Sequence, residues 1–195
     1  MIKRRSLLSI LTIIAGCAPA TDPSRNAVES NCLLQQYELP ELAHSIDSNF
    51  DSDNFLSKQR IKIPASVMAE QVPGYKSHVL VRTTEQPQFL YLTFSSPHET
   101  QLLDESEAAP ISEHRDLLRT PGESQYHWYL GEQSDIGLEL WGSCSSNFQG
   151  SYNCMTQLTV GSVGVNYELY RENLPVYQQV EAFLQEQFDA CDFHL

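Results

Sequence analysis

From Tyr126 to Tyr170 the chain runs through four short apolar segments whose links are too brief to be anything but turns. They are residues 126–130, 136–141, 152–160 and 165–170. Ile136, Leu138 and Leu140 fall at every second position, the period of a half-buried strand. The links are the polar residues 131–135, a turn-rich stretch between Cys144 and Cys154, and a hairpin turn carrying Gly161 and Gly164. Strands joined this closely pair antiparallel. The spacing therefore predicts a meander. Residues 77–83 and 89–94 read as two further strands, joined by a turn over residues 85–88.

A helix closes the chain. Asn173 suits an N-cap and Pro175 a first turn, where the missing N–H costs little. Tyr177, Val180, Leu184, Phe188 and Cys191 then recur at helical spacing with Phe183 beside them, while Glu181, Gln185, Glu186 and Asp189 take the other side. The expected fold is mainly β with a C-terminal helix, an α+β arrangement in which an antiparallel sheet or β-sandwich meander is packed by the terminal helix. Residues 96–124 interrupt the strands as a long polar insertion, of the kind that often carries function. Within it, residues 112–119 read as a short helix capped by Ser112, with Leu117 and Leu118 turned inward. Earlier still, residues 40–46 suggest a helical turn and residues 59–63 a short strand.

The leader is of a different character. Lys3, Arg4 and Arg5 precede an apolar run over residues 7–14, followed by the small residues Ala15 and Gly16 and then Cys17. This is the pattern of a secretory signal peptide, and the run is too short to span a bilayer, which needs about 20 apolar residues. Ile14-Ala15-Gly16-Cys17 resembles the lipobox of bacterial lipoproteins. The resemblance implies cleavage before Cys17, acylation of that cysteine, palmitate included, and stable attachment, since two or more acyl chains hold a protein on a membrane. Ala18 in place of aspartate implies the outer membrane by the rule of that family. The expected organisation is a signal peptide over 1–16, a lipidated cysteine and flexible tether over 17–30, and one globular domain over 31–195.

Four cysteines remain: Cys32, Cys144, Cys154 and Cys191. An even number in an exported chain points to disulfides, and the spacings fit no zinc pattern. The short separation of Cys144 and Cys154 makes them one pair and leaves Cys32 with Cys191. Charge narrows the partners. The whole chain carries 12 Lys+Arg against 25 Asp+Glu, net −13, and loss of residues 1–16 takes the net to −16. Such acidity disfavours nucleic acid and points to a basic protein partner in the periplasm.

Catalytic motifs are lacking. No Gly-x-Ser-x-Gly elbow, His-Glu-x-x-His helix or phosphate loop occurs. Residues 47–53 place oxygen ligands at alternate positions, but Ser52 and Lys58 stand where a calcium loop needs glycine and glutamate. No cofactor or metal is expected, and an enzyme is the third-ranked reading. The expectation is a lipid-anchored binding protein, most concretely an immunity or inhibitor lipoprotein that occludes a toxin or hydrolase. That profile resembles the periplasmic immunity lipoproteins of type VI secretion systems. The alternative is an assembly or structural lipoprotein of an envelope secretion or pilus machine. Candidate partner-binding residues are Asp104, Glu105 and Glu107 in the insertion, with Phe148 and Tyr152 at the tip of the disulfide hairpin. The anchor is testable directly: Cys17→Ser should abolish palmitate labelling and leave precursor or a soluble product. A labelled mature form of that variant would refute the lipoprotein reading.

Overall fold

The computed structural model describes residues 33–39, 60–81, 83–146 and 150–191. A short helix α1 (Leu33–Gln36) leads into β1 (Glu38–Leu39), and β2 (Arg60–Ile63) is followed by helix α2 (Ala65–Gln71). Then come β3 (His78–Val81), β4 (Thr84–Pro87) and β5 (Leu90–Ser95). A 3-10 turn η1 (Glu105–Glu107) precedes β6 (Ala109–Pro110), β7 (Leu117–Ser124), β8 (His127–Ser134), β9 (Gly137–Ser146), β10 (Tyr152–Val160) and β11 (Val163–Tyr170). A 3-10 segment η2 (Arg171–Val176) delivers the chain to the terminal helix α3 (Tyr177–Ala190). Among the described residues one nine-stranded sheet runs β1-β2-β5-β11-β10-β9-β8-β7-β6, antiparallel throughout, and β3-β4 form a separate ribbon. The fold is mainly β with a C-terminal helix, an open sheet and not a sandwich.

Alternation along the strands gives the sheet one dry face. Leu90, Leu92 and Phe94 of β5 are buried while their neighbours are not, and Val165, Tyr167 and Leu169 of β11 follow the same period. Register carries the apolar row across: Ile61 opposes Leu92, Leu92 opposes Tyr167, Leu169 opposes Cys154, and Cys144 opposes Trp128. Helix α3 lies on this face. Its buried residues are Tyr177, Val180, Phe183, Leu184 and Phe188, the stripe that the spacing predicts. Tyr177 meets Trp141 of β9 with ring centroids 5.1 Å apart, and Phe188 meets Phe94 of β5 at 6.0 Å. The helix therefore crosses the sheet from β9 to β5.

Several local expectations are corrected. Residues 85–88 are not a simple turn, because Thr84–Pro87 is the returning strand of the β3-β4 ribbon. No helix forms over residues 112–119. β7 starts at Leu117, which is buried as expected but as a strand residue paired with Glu132. Asn173 caps nothing: it is fully buried in η2, where Oδ1 accepts from Lys76 N at 2.6 Å and Nδ2 donates to Lys76 O at 3.0 Å. A buried amide with partners on another segment is worth more as a cross-link than as a cap. Gly161 turns the last hairpin at φ +58°, whereas Gly164 is already a β11 residue, paired with Thr159 and Ser95. Residues 40–46 and 47–53 lie outside the described residues.

The cysteine pairing stands in part. Cys144 and Cys154 face each other across β9 and β10 and are disulfide-bonded. Cys191 is buried and also disulfide-bonded, and Cys32 lies outside the described residues. Closing a loop of sequence separation 10 should stabilise the folded state by about 2–3 kcal/mol on the chain-entropy account. Cys144→Ser with Cys154→Ser should therefore lower the unfolding free energy by about that much in denaturant titrations, with the fold retained. An unchanged midpoint would show that the bond adds nothing.

Candidate binding surface

The insertion is stitched to the sheet instead of hanging from it. Leu103 N donates to Leu138 O and Leu140 N to Gln101 O, both at 2.8 Å, and Leu102 bridges to Glu139. This segment fills the flank of β9 beyond Thr156–Gly142, the last pair that β10 makes with it. Asp104 then caps η1 by accepting from Ser106 N, a bond that holds its carboxyl below the usual range. Glu105 accepts from Gln133 Nε2 at 3.3 Å, and Glu107 is exposed.

The structure divides the candidate residues: Glu107 lines a cleft with Trp128, the ring that Tyr152 meets, and Glu105 stands apart from them. Glu105 lies against Gly137 at the β8-β9 turn, whereas Tyr152 pairs with Ser146 at the far end of β9. Nine residue steps of strand separate those ends, about 30 Å. Tyr152 is half-buried, its ring edge-on to Trp128 at 5.1 Å, and its phenol is pushed up by burial and by the charge of Glu113. Phe148 lies outside the described residues. Two shallow clefts flank this end. One, of about 480 Å³, is lined by Leu80, Glu113, Ser151, Arg171, Glu172 and Pro175. The other, of about 550 Å³, is lined by Glu107, Arg119, Pro121, Gln125, His127 and Trp128. Between them runs a stack: the Arg119 guanidinium lies 4.3 Å over Trp128, Trp128 meets Tyr152, and Arg171 bridges to Glu113. Its members are scattered along the sequence, and only the shared sheet face unites them.

Beneath α3 lies a polar network that the helical wheel misplaces. Glu181 belongs to the covered side. Its Oε1 accepts from Trp141 Nε1 at 3.0 Å and from Tyr167 Oη at 2.7 Å. Burial, aided by the charge of Glu132, pushes its carboxyl above the usual value. Glu132 of β8 accepts from Tyr177 Oη, and His114 packs edge-on to Tyr177 at 4.8 Å. His127 is half-buried, with Nε2 bonded to Ser143 Oγ at 2.8 Å and Nδ1 buried without a partner. Among the described residues no group of three or more His, Cys, Asp or Glu could hold a metal ion, and no helix is long and apolar enough to cross a membrane.

No protein-family model matches the chain, and no match is found among curated proteins or among solved structures.

The Glu181 network yields a signed prediction. A carboxyl raised by folding favours the protonated folded state, so its contribution is full below the unfolded pKa and is lost as pH rises through the folded one. Tyr167, Trp141, Tyr177 and Glu132 are the groups that face it. Glu181→Gln removes the titrating charge and keeps an acceptor. The variant should gain on the natural chain as pH rises from about 4.5 towards 7. Parallel stability–pH curves for the two would show that Glu181 does not titrate in this interval.

Proposed function

We propose that this chain is a lipid-anchored binding protein of the periplasm, held on the outer membrane by Cys17. Most concretely it is an immunity or inhibitor lipoprotein that occludes a toxin or hydrolase. The observation that carries this reading is that the acidic insertion is held away from the described N-terminal strand. β1 lies at one edge of the sheet, and residues 101–103 run beside β9, five strand spacings from β1, about 24 Å. A tether that enters on the β1 side leaves the carboxylates of the insertion clear of the membrane and open to a partner.

The surface suits occlusion. Asp104, Glu105 and Glu107 are exposed carboxylates on a segment fixed by backbone hydrogen bonds, so binding orders little. In a chain of net charge −13 they favour a basic protein and raise its association rate. The shallow, polar-rimmed clefts match contact with a protein surface better than enclosure of a small molecule.

The test is purification of the acylated chain from its native envelope at low and at high salt. A basic protein should be retained at low salt and released at high salt, because screening shortens the reach of exposed charges to about 10 Å at 0.1 M and 3 Å at 1 M. Asp104→Lys with Glu105→Lys and Glu107→Lys should slow association of that partner with the fold unchanged. Retention indifferent to salt and to these reversals would overturn the electrostatic part of the reading, and no retained partner would overturn the whole.

A further inference from the structure

Glu172 holds a carboxylate oxygen that folding buries without a donor. The residue sits in η2, where Oε1 accepts from Leu80 N at 3.3 Å and Oε2 is buried with no hydrogen-bond partner. Among the described residues no lysine, arginine or histidine forms an ion pair with it. The adjacent cation is engaged elsewhere: Arg171 bridges to Glu113 and donates to Gly150 O at 2.9 Å. A carboxylate oxygen taken out of water and left unpaired costs free energy that an incoming donor recovers.

Glu172 belongs to the wall of the cleft of about 480 Å³. Four parts of the chain build that wall. β3 gives Leu80, the insertion Ser112, the disulfide hairpin Ser151, and η2 Glu172 and Pro175. Leu80 is 41 % exposed and Pro175 is exposed, so apolar surface stands beside the carboxylate. Both hydroxyls have their protons committed, Ser112 Oγ to Glu113 Oε2 at 2.9 Å and Ser151 Oγ to Leu80 O, which leaves their lone pairs to accept. Glu113 and Arg171 neutralise each other at the rim, so Glu172 leaves the cleft net negative.

We infer that this cleft receives a lysine side chain of the partner protein, its ammonium donating to Glu172 and its aliphatic stem lying along Leu80 and Pro175. The acceptors select lysine over arginine. A guanidinium fork uses both oxygens of a carboxylate, and Oε1 is already held by Leu80 N. An ammonium is a point donor with three hydrogens, for which Glu172 Oε2 and the two hydroxyls offer three acceptors. The exposed Leu80 side chain reseats against the stem as it enters, which uncovers Oε2 and gives the methylenes an apolar wall. This deepens the occlusion reading and rests on it for a basic protein as the partner. It joins the insertion and the disulfide hairpin in one contact, at the opposite end of β9 from Glu105.

The experiment uses the full chain in neutral detergent, labelled at leucine methyls, at about 0.1 M salt to screen distant charges. Three capped tripeptides serve as probes: Gly-Lys-Gly, Gly-Arg-Gly, and the lysine peptide acetylated on its side-chain nitrogen. The lysine peptide should bind about tenfold more tightly than its acetylated form and more tightly than the arginine peptide, and should shift the Leu80 methyl signals. Glu172→Gln removes the charge and Glu172→Asp withdraws it by one methylene. Each should erase the lysine preference with the other methyl signals unmoved. Asp104→Lys with Glu105→Lys and Glu107→Lys should leave the preference intact, because those carboxylates stand outside the cleft. Equal binding of the lysine peptide and its acetylated form would show that water satisfies Oε2 and would overturn the assignment. A preference for arginine, or one that survives both Glu172 variants, would overturn it as well. A lysine preference alongside failure to recover a salt-sensitive partner from the envelope would support the cleft and overturn the immunity reading alone. A salt-sensitive partner whose retention ignores Glu172→Gln would do the reverse.

Discussion

A nine-stranded sheet needs one dry face, and a single helix of 14 residues supplies much of its cover. At 1.5 Å per residue the helix is about 21 Å long, while the sheet is about 38 Å wide. The two cannot match. Helix α3 runs from Trp141 to Phe94 and so serves the β5-β11-β10-β9 half. Around it the cover is made of other pieces: η2, Ile111 at the head of the loop that leads to β7, and the Arg119–Trp128–Tyr152 stack. Buried Leu34 of α1 and the β3-β4 ribbon, tied to η2 through Asn173 and Gln88, complete the layer. The two clefts open along seams between these pieces, one beside η2 and one between β7 and β8.

The strands and the helix were legible because their evidence is local. Alternation in β5 and β11 and the 3.6-residue stripe of α3 each report burial without knowledge of the partner. Three features were not legible for the same reason. In β9 the partner of Leu130 is Gly142 and that of Gly131 is Leu140, so Trp141 is an extra residue in the ladder. The bulge aims Trp141 at α3, and it breaks the alternation that Ile136, Leu138 and Leu140 begin. Glu181 looked like a surface residue because a helical wheel grades side chains by polarity. Donors from β9 and β11 make its burial tolerable. Asn173 carries the same lesson, since its partners are residues 76 and 88.

Of the candidate surface, the acidity of the insertion was readable and its geometry was not. The polar loop and the disulfide hairpin were both read as recognition loops on one rigid scaffold. β9 holds Glu105 and Tyr152 at opposite ends, and its ten residues act as a ruler. The insertion also proved to be sheet-bound, because Gln101 and Leu103 take over the flank of β9 that β10 abandons. Backbone groups left unpaired there would be costly, so the insertion is recruited to satisfy them.

The open face of the sheet shows the other side of this logic. Gln157 donates to Asn166 Oδ1 at 2.9 Å, Asn166 to Ser95 Oγ at 3.0 Å, and Asn153 to Glu168, so neighbouring strands satisfy one another with short polar groups. Burial among these neighbours pushes the Glu168 carboxyl above its usual value. A face already hydrogen-bonded to itself has little left to offer a partner, because any hydrogen bond from outside must displace one made within. Exposed charge stands instead in loops and turns, on Asp104, Glu105 and Asp135, where a carboxylate remains hydrated. The sheet thus meets the cost of burial twice over, with apolar cover on one face and paired short polar groups on the other.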